Sequence, residues 1–589
     1  MASSNRRKSS IDRLMIGEEI TEDKLVIKKE ILEYYQNLYT EFEPWRPTAD
    51  FEDLASLNEE EKDRLESPFE EQEVLAALNT CGPNKAPGPD GFTMAFFQKA
   101  WNFLKLEVMD ALSHFHQNCH MVKSCNASFI ALIPKKKGAI ELRDYRPISL
   151  ISSVYKLTSK ILAERLKKVI GKLVSGQQNA FIRNRQIMDA SLIANETLDW
   201  RIKNGGTSIL CKLDIEKAFD QLNWPYLINI LRRMGFSERW IKFSITTVKY
   251  SVLVNRSPVG FFSPQKGLRQ GDPLSPFLFI LAMEGLTKML EKAKQLQWIQ
   301  GFQVGRTLEN SVIVSHLLFA DDTLIFCGAE KSQVLNLNLT LLIFEVLSGL
   351  HINMLKSVIY PVNEVSNLAE LAEILGCKTG TFPTTYLGLP LGAKHKSVGI
   401  WNGVIKRFEK RLSSWQMQYL SMGGRLTLIN SVLDSIPIYY MSLFPIPCSV
   451  LKQLDRLRRR FLWEGNSLTH KISLVKWSKV TQPKSQGGLG IRDLKAHDTC
   501  MLWKWLWRYG QPENGFWKDV IDAKYGMQSH WCTKNSSTPH GVGLWKNISR
   551  NWSEFFENVI FKVGNVMHVK SWKERCIGKS MIYWHSLKL

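Results

Sequence analysis

Residues 316–326 read His-Leu-Leu-Phe-Ala-Asp-Asp-Thr-Leu-Ile-Phe, so two adjacent carboxylates stand between two apolar runs. This pattern predicts a strand hairpin with Asp321 and Asp322 at its tip. Successive side chains of a strand point to opposite faces, so the two carboxylates are not equivalent unless the turn rotates one of them back. We therefore expect Asp321 to be the stronger ligand for a cation and Asp322 the weaker.

A further acid, Asp214, follows an apolar strand predicted over residues 208–213. From Leu213 to Asp220 the sequence reads Leu-Asp-Ile-Glu-Lys-Ala-Phe-Asp. A carboxylate at the end of a buried strand is costly unless it is paired or binds a cation. Mg²⁺ favours one or two carboxylates plus phosphate oxygens, and two such ions about 3.5–4 Å apart activate a hydroxyl and stabilise a leaving pyrophosphate. We predict Asp214 and Asp321 as primary Mg²⁺ ligands, although each acid pair alone also fits an ordinary polar turn.

The segment between these acids, residues 265–276, reads Gln-Lys-Gly-Leu-Arg-Gln-Gly-Asp-Pro-Leu-Ser-Pro. Its two glycines allow the backbone to approach a ligand closely, and Lys266 and Arg269 supply positive charge. We expect Ser275 to cap a following helix whose first residue is Pro276, because helix N-termini favour Ser as a cap and attract anions. The alternative interpretation is a surface loop that precedes a helix.

Composition indicates a folded chain that binds a polyanion. The chain has 589 residues, a net charge of +21, 44% hydrophobic residues and 23% charged residues, which excludes a disordered or low-complexity protein. Residues 1–80 carry a net charge of −10, so the basic charge lies in the rest of the chain. A folded body this basic indicates nucleic acid or an anionic membrane surface as partner.

The location of the protein is predicted from three negative features. The apolar runs are far shorter than the ~20 residues of a membrane-spanning helix, so we expect no transmembrane segment. The first residues lack the apolar core of a signal peptide, so we expect no secretion. Ten cysteines without CxxC pairs suit a reducing compartment, so we expect an intracellular protein, nuclear or cytoplasmic or both.

Four regions differ in pattern and predict an α+β protein. Residues 1–80 are acidic and helical in pattern, and residues 81–395 mix strands and helices around a core at 129–392. A long helix is expected from Ser152 to Leu173, with Arg165 on its polar side. Residues 396–510 are basic and helical, and residues 511–589 form a Trp-rich extension.

The motifs, taken in order, resemble the reverse transcriptase of non-LTR (LINE-type) retrotransposons, closest to those of plants. The resemblance rests on the Asp214 motif, on QGDPLSP at 270–276, on FADD at 319–322 and on YLGLPLG at 386–392. Flanking matches are APGPDG at 86–91, DYRPISL at 144–150, GQQNAF at 176–181 and SGLHIN at 348–353. The similarity runs from about residue 10 to about residue 560.

This resemblance implies a right-hand polymerase fold of fingers, palm and thumb, followed by a helical C-terminal extension. It implies an RNA-directed DNA polymerase that extends a DNA primer on an RNA template with deoxynucleoside triphosphates. Asp214, Asp321 and Asp322 match the family's metal-binding carboxylates, which implies two Mg²⁺ ions, with Mn²⁺ as a possible substitute. The sequence gives no oligomeric state.

The resemblance also assigns further site residues. Phe219 matches the aromatic gate against a ribonucleotide 2′-hydroxyl, and Gln270 and Gly271 match the loop on template and incoming nucleotide. Arg146 and Lys135 lie in the fingers segment that meets the triphosphate. Lys356 lies where the family supplies a general acid for pyrophosphate, although an exposed lysine without a role is the alternative.

The arginine-rich stretch of the basic helical region is a candidate grip on the duplex backbone, since template and primer are polyanions. We predict that four arginines contact nucleic acid: Arg456, Arg458, Arg459 and Arg460.

Three expectations concern the extent of the chain and its function. Eighty acidic residues are too few for the endonuclease that precedes such polymerases, and no Cys/His zinc segment or RNase H pattern follows, so we expect a truncated element copy with a complete polymerase core. A catalytically silent, nucleic-acid-binding remnant is the first alternative. A group II intron-type maturase is the second, disfavoured by YLGLPLG at 386–392 and the Trp-rich tail.

Overall fold

The computed structural model describes residues 10–559 except 52, 120, 123–124, 246–247, 306–308, 416–419, 464–474, 512–514, 530 and 535–538. The end of the chain beyond residue 559, part of the predicted Trp-rich extension, lies outside the described residues. Within the described part, no helix is long and apolar enough to cross a lipid bilayer.

The acidic N-terminal segment is helical after a short hairpin. The hairpin strands are β1 (Leu14–Ile16) and β2 (Glu19–Thr21), and the helices are α1 (Lys24–Tyr39), α2 (Glu59–Glu66), α3 (Glu71–Thr80) and α4 (Met94–Asn118). Helix α1 begins at Lys24 because the Asp23 carboxylate accepts hydrogen bonds from the backbone N–H groups of Leu25 and Val26. The hairpin departs from the helical prediction because strands of three residues are too short to show an alternating pattern.

The first sheet has four strands in the order β4-β3-β6-β7. They are β3 (Ala127–Pro134), β4 (Tyr145–Ile151), β6 (Lys249–Val254) and β7 (Ser257–Phe262). Strands β3 and β6 run parallel, and the other pairs are antiparallel. Helix α1 packs on this sheet, since Ile27 and Ile31 share a hydrophobic core with Ile130 and Val252.

The central sheet has five strands in the order β10-β11-β5-β12-β13. They are β5 (Ser208–Leu213), β10 (His316–Phe319), β11 (Asp322–Gly328), β12 (Val358–Val362) and β13 (Lys378–Thr379). Strands β10 and β11 form the predicted hairpin, with Phe319 opposite Asp322. Strand β5 lies between β11 and β12 and is antiparallel to both.

Helices and small hairpins cover both faces of the central sheet. Along β5, Ile209 and Cys211 enter one core while Leu210 enters the other, which explains why the strand is apolar throughout. The elements between residues 153 and 391 are α5 (Ser153–Leu166), α6 (Ile170–Leu173), α7 (Ile187–Asn204), α8 (Ala218–Gln221), α9 (Trp224–Arg233), α10 (Glu238–Ile245), α11 (Ser275–Gln295), β8 (Phe302–Val304), β9 (Val312–Val314), α12 (Lys331–Ser348), α13 (Leu368–Leu375), β14 (Thr384–Tyr386) and β15 (Leu389–Leu391).

The long helix expected from Ser152 to Leu173 is broken into α5 and α6. Arg165, expected on the polar side, is buried near the end of α5. Its guanidinium donates to both Glu73 carboxylate oxygens and to the backbone carbonyls of Leu65, Ser67 and Pro68. The helix end is therefore tied to the N-terminal segment, a tertiary contact that helical periodicity does not encode.

The basic region is helical, as its pattern predicted, and the chain beyond it continues in short helices and one small hairpin. The elements are α14 (Asn402–Ser414), α15 (Met422–Leu428), a π-helical turn (Ile429–Leu433), α16 (Ile438–Met441), α17 (Cys448–Trp463), α18 (Trp477–Val480), α19 (Leu494–Tyr509), α20 (Phe516–Tyr525), β16 (Met527–Ser529), β17 (Cys532–Thr533), α21 (Trp545–Ser549) and α22 (Trp552–Glu557). Trp505 of α19, Trp517 of α20 and Trp545 of α21 share one core.

Candidate active site

Three predicted carboxylates meet at one end of the central sheet. Leu213, the last residue of β5, lies opposite Thr323 of β11. Asp214 comes directly after Leu213 and Asp322 directly before Thr323, so both acids lie at the same end of the sheet. Asp321 lies in the turn between β10 and β11, where Ala320 has a positive φ of 56°. The pairing register therefore brings together the residues that the sequence singled out.

The hairpin turn is fixed by a buried amide. The side-chain oxygen of Gln178 accepts hydrogen bonds from the backbone N–H groups of Ala180 (3.1 Å) and Ala320 (3.0 Å). The same segment forms a parallel bridge with Leu318 of β10. The sequence analysis used residues 176–181 only as a flanking match and did not predict this role of Gln178. The feature that could have indicated it is the polar pair Gln177-Gln178 at the start of a turn.

The carboxylates repel one another. Partial burial raises the pKa of Asp321, and the neighbouring Asp214 raises it further while Arg146 opposes the shift. Burial, Asp321 and Asp214 raise the pKa of Asp322, and Lys212 opposes that shift. This repulsion is what a bound cation relieves, so the donor set fits a divalent metal.

The protein alone does not supply a complete set of metal ligands in the described part of the chain. Among the described residues, no group of three or more His, Cys, Asp or Glu side chains is arranged to hold a metal ion. Mg²⁺ is commonly held by one or two carboxylates and completed by substrate phosphates and water. Asp214 and Asp321 are the two carboxylates that could take part in such a site.

Basic side chains converge on the same end of the sheet. Lys356 Nζ lies 3.6 Å from Asp214 Oδ2. Burial lowers the pKa of Lys135, and the positive charges of Arg146, Lys356 and Lys217 lower it further. The structure thus brings together the predicted Lys135, Arg146 and Lys356, and it adds Lys217, which sequence reasoning missed although it stands three residues after Asp214.

The loop before α11 is docked on the first sheet. The Gln270 carbonyl accepts a hydrogen bond of 2.8 Å from the Ser149 N–H of β4. Gly271 has a φ of 110°, and a Cβ there would lie 3.1 Å from the Ser149 carbonyl oxygen, so this position needs glycine. Phe219 stacks on Phe279 with ring centroids 4.7 Å apart, which fixes the orientation of its ring.

Two expectations for this loop are wrong. Arg269 is buried, stacks over the Tyr155 ring at 3.7 Å, donates to Asn126 and pairs with Asp272, so its charge serves the fold and is not offered to a ligand. Ser275 does not cap α11, because it lies inside the helix and Leu274 is the cap residue.

Comparison with known proteins assigns the domain that contains this site. Residues 133–420 match the family described as reverse transcriptase (RNA-dependent DNA polymerase). The chain is 27% identical over 533 residues to the transposon TX1 uncharacterized 149 kDa protein of Xenopus laevis, covering 88% of this chain and 38% of that protein. Residues 133–420, just under half of the chain, are therefore similar to reverse transcriptases, and most of the chain is similar to a transposon protein.

Two further relatives share parts of this chain. A retrovirus-related Pol polyprotein from the type-2 retrotransposable element R2DM of Drosophila melanogaster is 25% identical over 446 residues, which is 74% of this chain and 40% of the polyprotein. A putative ribonuclease H protein of Arabidopsis thaliana is 32% identical over 200 residues, which is 33% of this chain and 32% of that protein. The chain therefore spans well under half the length of these relatives.

The matched segment 133–420 contains a buried acid that sequence reasoning did not single out. Asp220 accepts a hydrogen bond of 2.7 Å from the Tyr39 hydroxyl, and its second carboxylate oxygen lies 3.4 Å from Gln270 Nε2. Burial raises the pKa of Asp220 to about 6. The available signal was a second acid six residues after Asp214, and the structure makes it a link between α1 and the Gln270 loop.

The arginine stretch lies on α17, beyond the matched reverse transcriptase domain. Arg456, Arg459 and Arg460 are exposed, whereas Arg458 is fully buried. Arg458 pairs with Asp434 at 2.8 Å and with Asp455, and it donates to the Arg492 carbonyl. The prediction that Arg458 contacts nucleic acid is therefore wrong, because the side chain is enclosed by its own ion pairs.

Proposed function

We propose that the chain is an RNA-directed DNA polymerase that extends a DNA primer on an RNA template. The observation that carries the proposal is the convergence of Asp214, Asp321 and Asp322 with Lys135 and Arg146 at one end of the central sheet. Carboxylates suit the metal ions of nucleotidyl transfer, and the basic side chains suit a triphosphate. The central sheet then corresponds to the palm, the first sheet to the fingers, and the helices of 396–510 to the thumb.

Asp214 and Asp321 would hold Mg²⁺, or Mn²⁺ in its place, with Asp322 beside them. The metal would lower the pKa of the primer 3′-hydroxyl and stabilise the negative charge of the leaving pyrophosphate. Lys135, Arg146 and Lys217 bind and orient the triphosphate oxygens. The contacts of these basic side chains are with the negative charge of the phosphates and do not depend on the identity of the base.

The remaining site residues select and place the substrates. Phe219 bounds the space for the sugar of the incoming nucleotide and disfavours a 2′-hydroxyl. Gln270 and Gly271 support the template and the nucleotide through the docked loop. Lys356 is near enough to the metal-binding end to give a proton to the leaving pyrophosphate.

The exposed arginines of α17 are candidates for contacts with the primer–template duplex. Arg456, Arg459 and Arg460 present positive charge on one helix. Contacts between arginine and phosphate position a duplex without reading its sequence, as a polymerase requires.

Primer extension tests the function. The purified chain is given poly(rA)/oligo(dT) and dTTP with Mg²⁺, with Mn²⁺ or with EDTA, beside the variant Asp321→Asn. We expect extension that requires metal and is lost in Asp321→Asn, while duplex binding and thermal midpoint stay at parental values. Extension by Asp321→Asn at the parental rate would overturn the site assignment. A folded chain that binds the duplex and extends nothing would instead be a nucleic-acid-binding protein without catalysis.

A further inference from the structure

Six basic side chains gather at the end of the central sheet that is remote from the carboxylates. They come from the end of α7, from the segment after β15 and from the residues around α21. We call them the C-terminal basic cluster: Lys203, His395, Lys396, His540, Lys546 and Arg550.

A stacked histidine pair forms the middle of this cluster. The rings of His395 and His540 lie nearly parallel, at 10°, with centroids 4.1 Å apart. The backbone N–H of His395 donates to the Gly541 carbonyl, which joins the two segments. Neither ring nitrogen of His540 has a hydrogen-bond partner among the described residues. The stacked pair is therefore held among cations, and His540 leaves both of its ring nitrogens without a protein partner in the described part of the chain.

The cluster has an excess of positive charge. Burial lowers the pKa of His395 to about 4, and His540, Lys396, Arg550 and Lys546 lower it in the same direction. Burial, Arg550 and Lys203 also lower the pKa of Lys546. Mutual repulsion of this kind costs free energy in the absence of a ligand, and an anion would remove that cost.

The carboxylate near this cluster, that of Asp199, is already hydrogen-bonded to other groups. Asp199 raises the pKa of Lys546, but its oxygens accept hydrogen bonds from Lys203, Lys524 and the Val542 N–H. Lys396 and Arg550 are exposed and form no ion pair with a carboxylate in the described part of the chain. The cluster thus presents charge that the protein itself does not neutralise.

We propose that the C-terminal basic cluster binds the phosphate backbone of nucleic acid, apart from the carboxylate site and from the arginines of α17. The partner class rests on the proposed polymerase function, and the site rests on the geometry above. Lys203 lies just before β5 and Asp214 just after it, and six strand residues span ~20 Å. A nucleic-acid strand rises about 3.4 Å per nucleotide, so a strand that reaches from the cluster to the carboxylate site covers about six nucleotides.

The test compares two double variants that remove the same charge. Lys396→Gln/Arg550→Gln removes two exposed cations of the cluster, and Lys292→Gln/Lys378→Gln removes two exposed lysines elsewhere. Equilibrium binding is measured on a 20-base-pair RNA–DNA duplex and on single-stranded RNA of equal length, from 50 to 200 mM salt. No nucleotide or metal is needed, so the result does not depend on polymerase activity.

We expect the cluster variant to lose about tenfold in affinity near 100 mM salt, with a salt slope smaller by about 2, while the control variant stays near the parent. Loss on the duplex alone assigns the cluster to the product duplex, and loss on single-stranded RNA alone assigns it to template or element RNA. Equal affinities for the two variants on both ligands, with equal thermal midpoints, would overturn the proposal.

Discussion

Asp220 shows how a single residue couples two parts of the chain. Its carboxylate is 2% exposed and contacts the Tyr39 hydroxyl on one side and the Gln270 amide on the other. Tyr39 belongs to α1, outside the matched residues 133–420. The N-terminal helix therefore helps to hold the loop on which the proposed template contact depends.

The raised pKa of Asp220 predicts a pH dependence of stability. The folded state binds the proton more tightly than the unfolded chain, with a pKa of about 6 against an ordinary 3.8. The stability contribution is therefore complete below about pH 4 and is lost as the pH rises through 6. Relative to Asp220→Asn, which does not titrate, the parent should lose up to about 3 kcal/mol of unfolding free energy across this range.

Denaturant unfolding of both proteins at pH steps from 4 to 7.5 measures this difference. The other titrating groups are common to both proteins, so they cancel in the comparison. A difference that stays constant with pH would contradict the assigned pKa.

The buried and the exposed arginines of α17 are expected to have different roles: Arg458 stabilises the fold, and Arg456 contacts nucleic acid. Replacing Arg458 by Gln leaves Asp434 buried without its partner and should cost about 3–5 kcal/mol. Replacing the exposed Arg456 by Gln should leave stability within about 0.5 kcal/mol and weaken duplex binding, with a salt slope smaller by about 1. Urea unfolding and salt-dependent duplex binding check both. The reverse pattern would show that the two residues have been assigned to the wrong roles.

At the scale of elements, alternation and length decided what could be predicted. The hairpin of β10 and β11 was predicted because two apolar runs enclose two acids, and the structure confirms it. The helical character of the region that contains α17 was predicted, but the expected nucleic-acid contact of Arg458 was wrong. Arg458 lies four residues after Leu454 and three before Phe461, so helical spacing already placed it on the apolar side.

Other elements depend on partners far away in sequence. The break after Leu166 follows a buried Arg165 that reaches Glu73, and the fixed carboxylate turn depends on Gln178. The convergence of Lys135, Arg146 and Lys356 also needs the register of two separate sheets. Local sequence patterns can single out charged or polar residues of this kind, but tertiary packing decides which of them come into contact.

At the scale of the molecule, the C-terminal helices and the central sheet are one packed body. Lys524 of α20 donates to Glu196 at 2.6 Å and to Asp199 at 2.7 Å, both on α7. Glu196 also accepts hydrogen bonds from the backbone N–H groups of Leu544 and Trp545. The fold of the matched segment 133–420 is therefore completed by residues beyond position 420.

This dependence predicts the effect of Lys524→Met. The methionine side chain is unbranched and one atom shorter than that of lysine, so the substitution removes the charge and leaves two buried carboxylates without their shared cation. We expect a loss of about 3–5 kcal/mol, seen as a lower denaturant midpoint, because breaking a buried pair strands its partner. Lys504→Met, at an exposed position of α19, is the matched control. Equal midpoints for the two variants would mean that Lys524 does not hold the C-terminal helices to α7.

The link between Glu196 and Lys524 has a consequence for the time course of synthesis. The two residues are 328 positions apart in the chain. At the usual ~5–20 residues per second, a ribosome needs roughly 15–65 s to travel from one codon to the other. During that interval Glu196 lacks the cation that neutralises it in the folded protein, and the face of α7 that packs on the C-terminal helices is uncovered. The nascent chain is therefore exposed to aggregation during that interval, and slowing the ribosome late in the message lengthens the exposure.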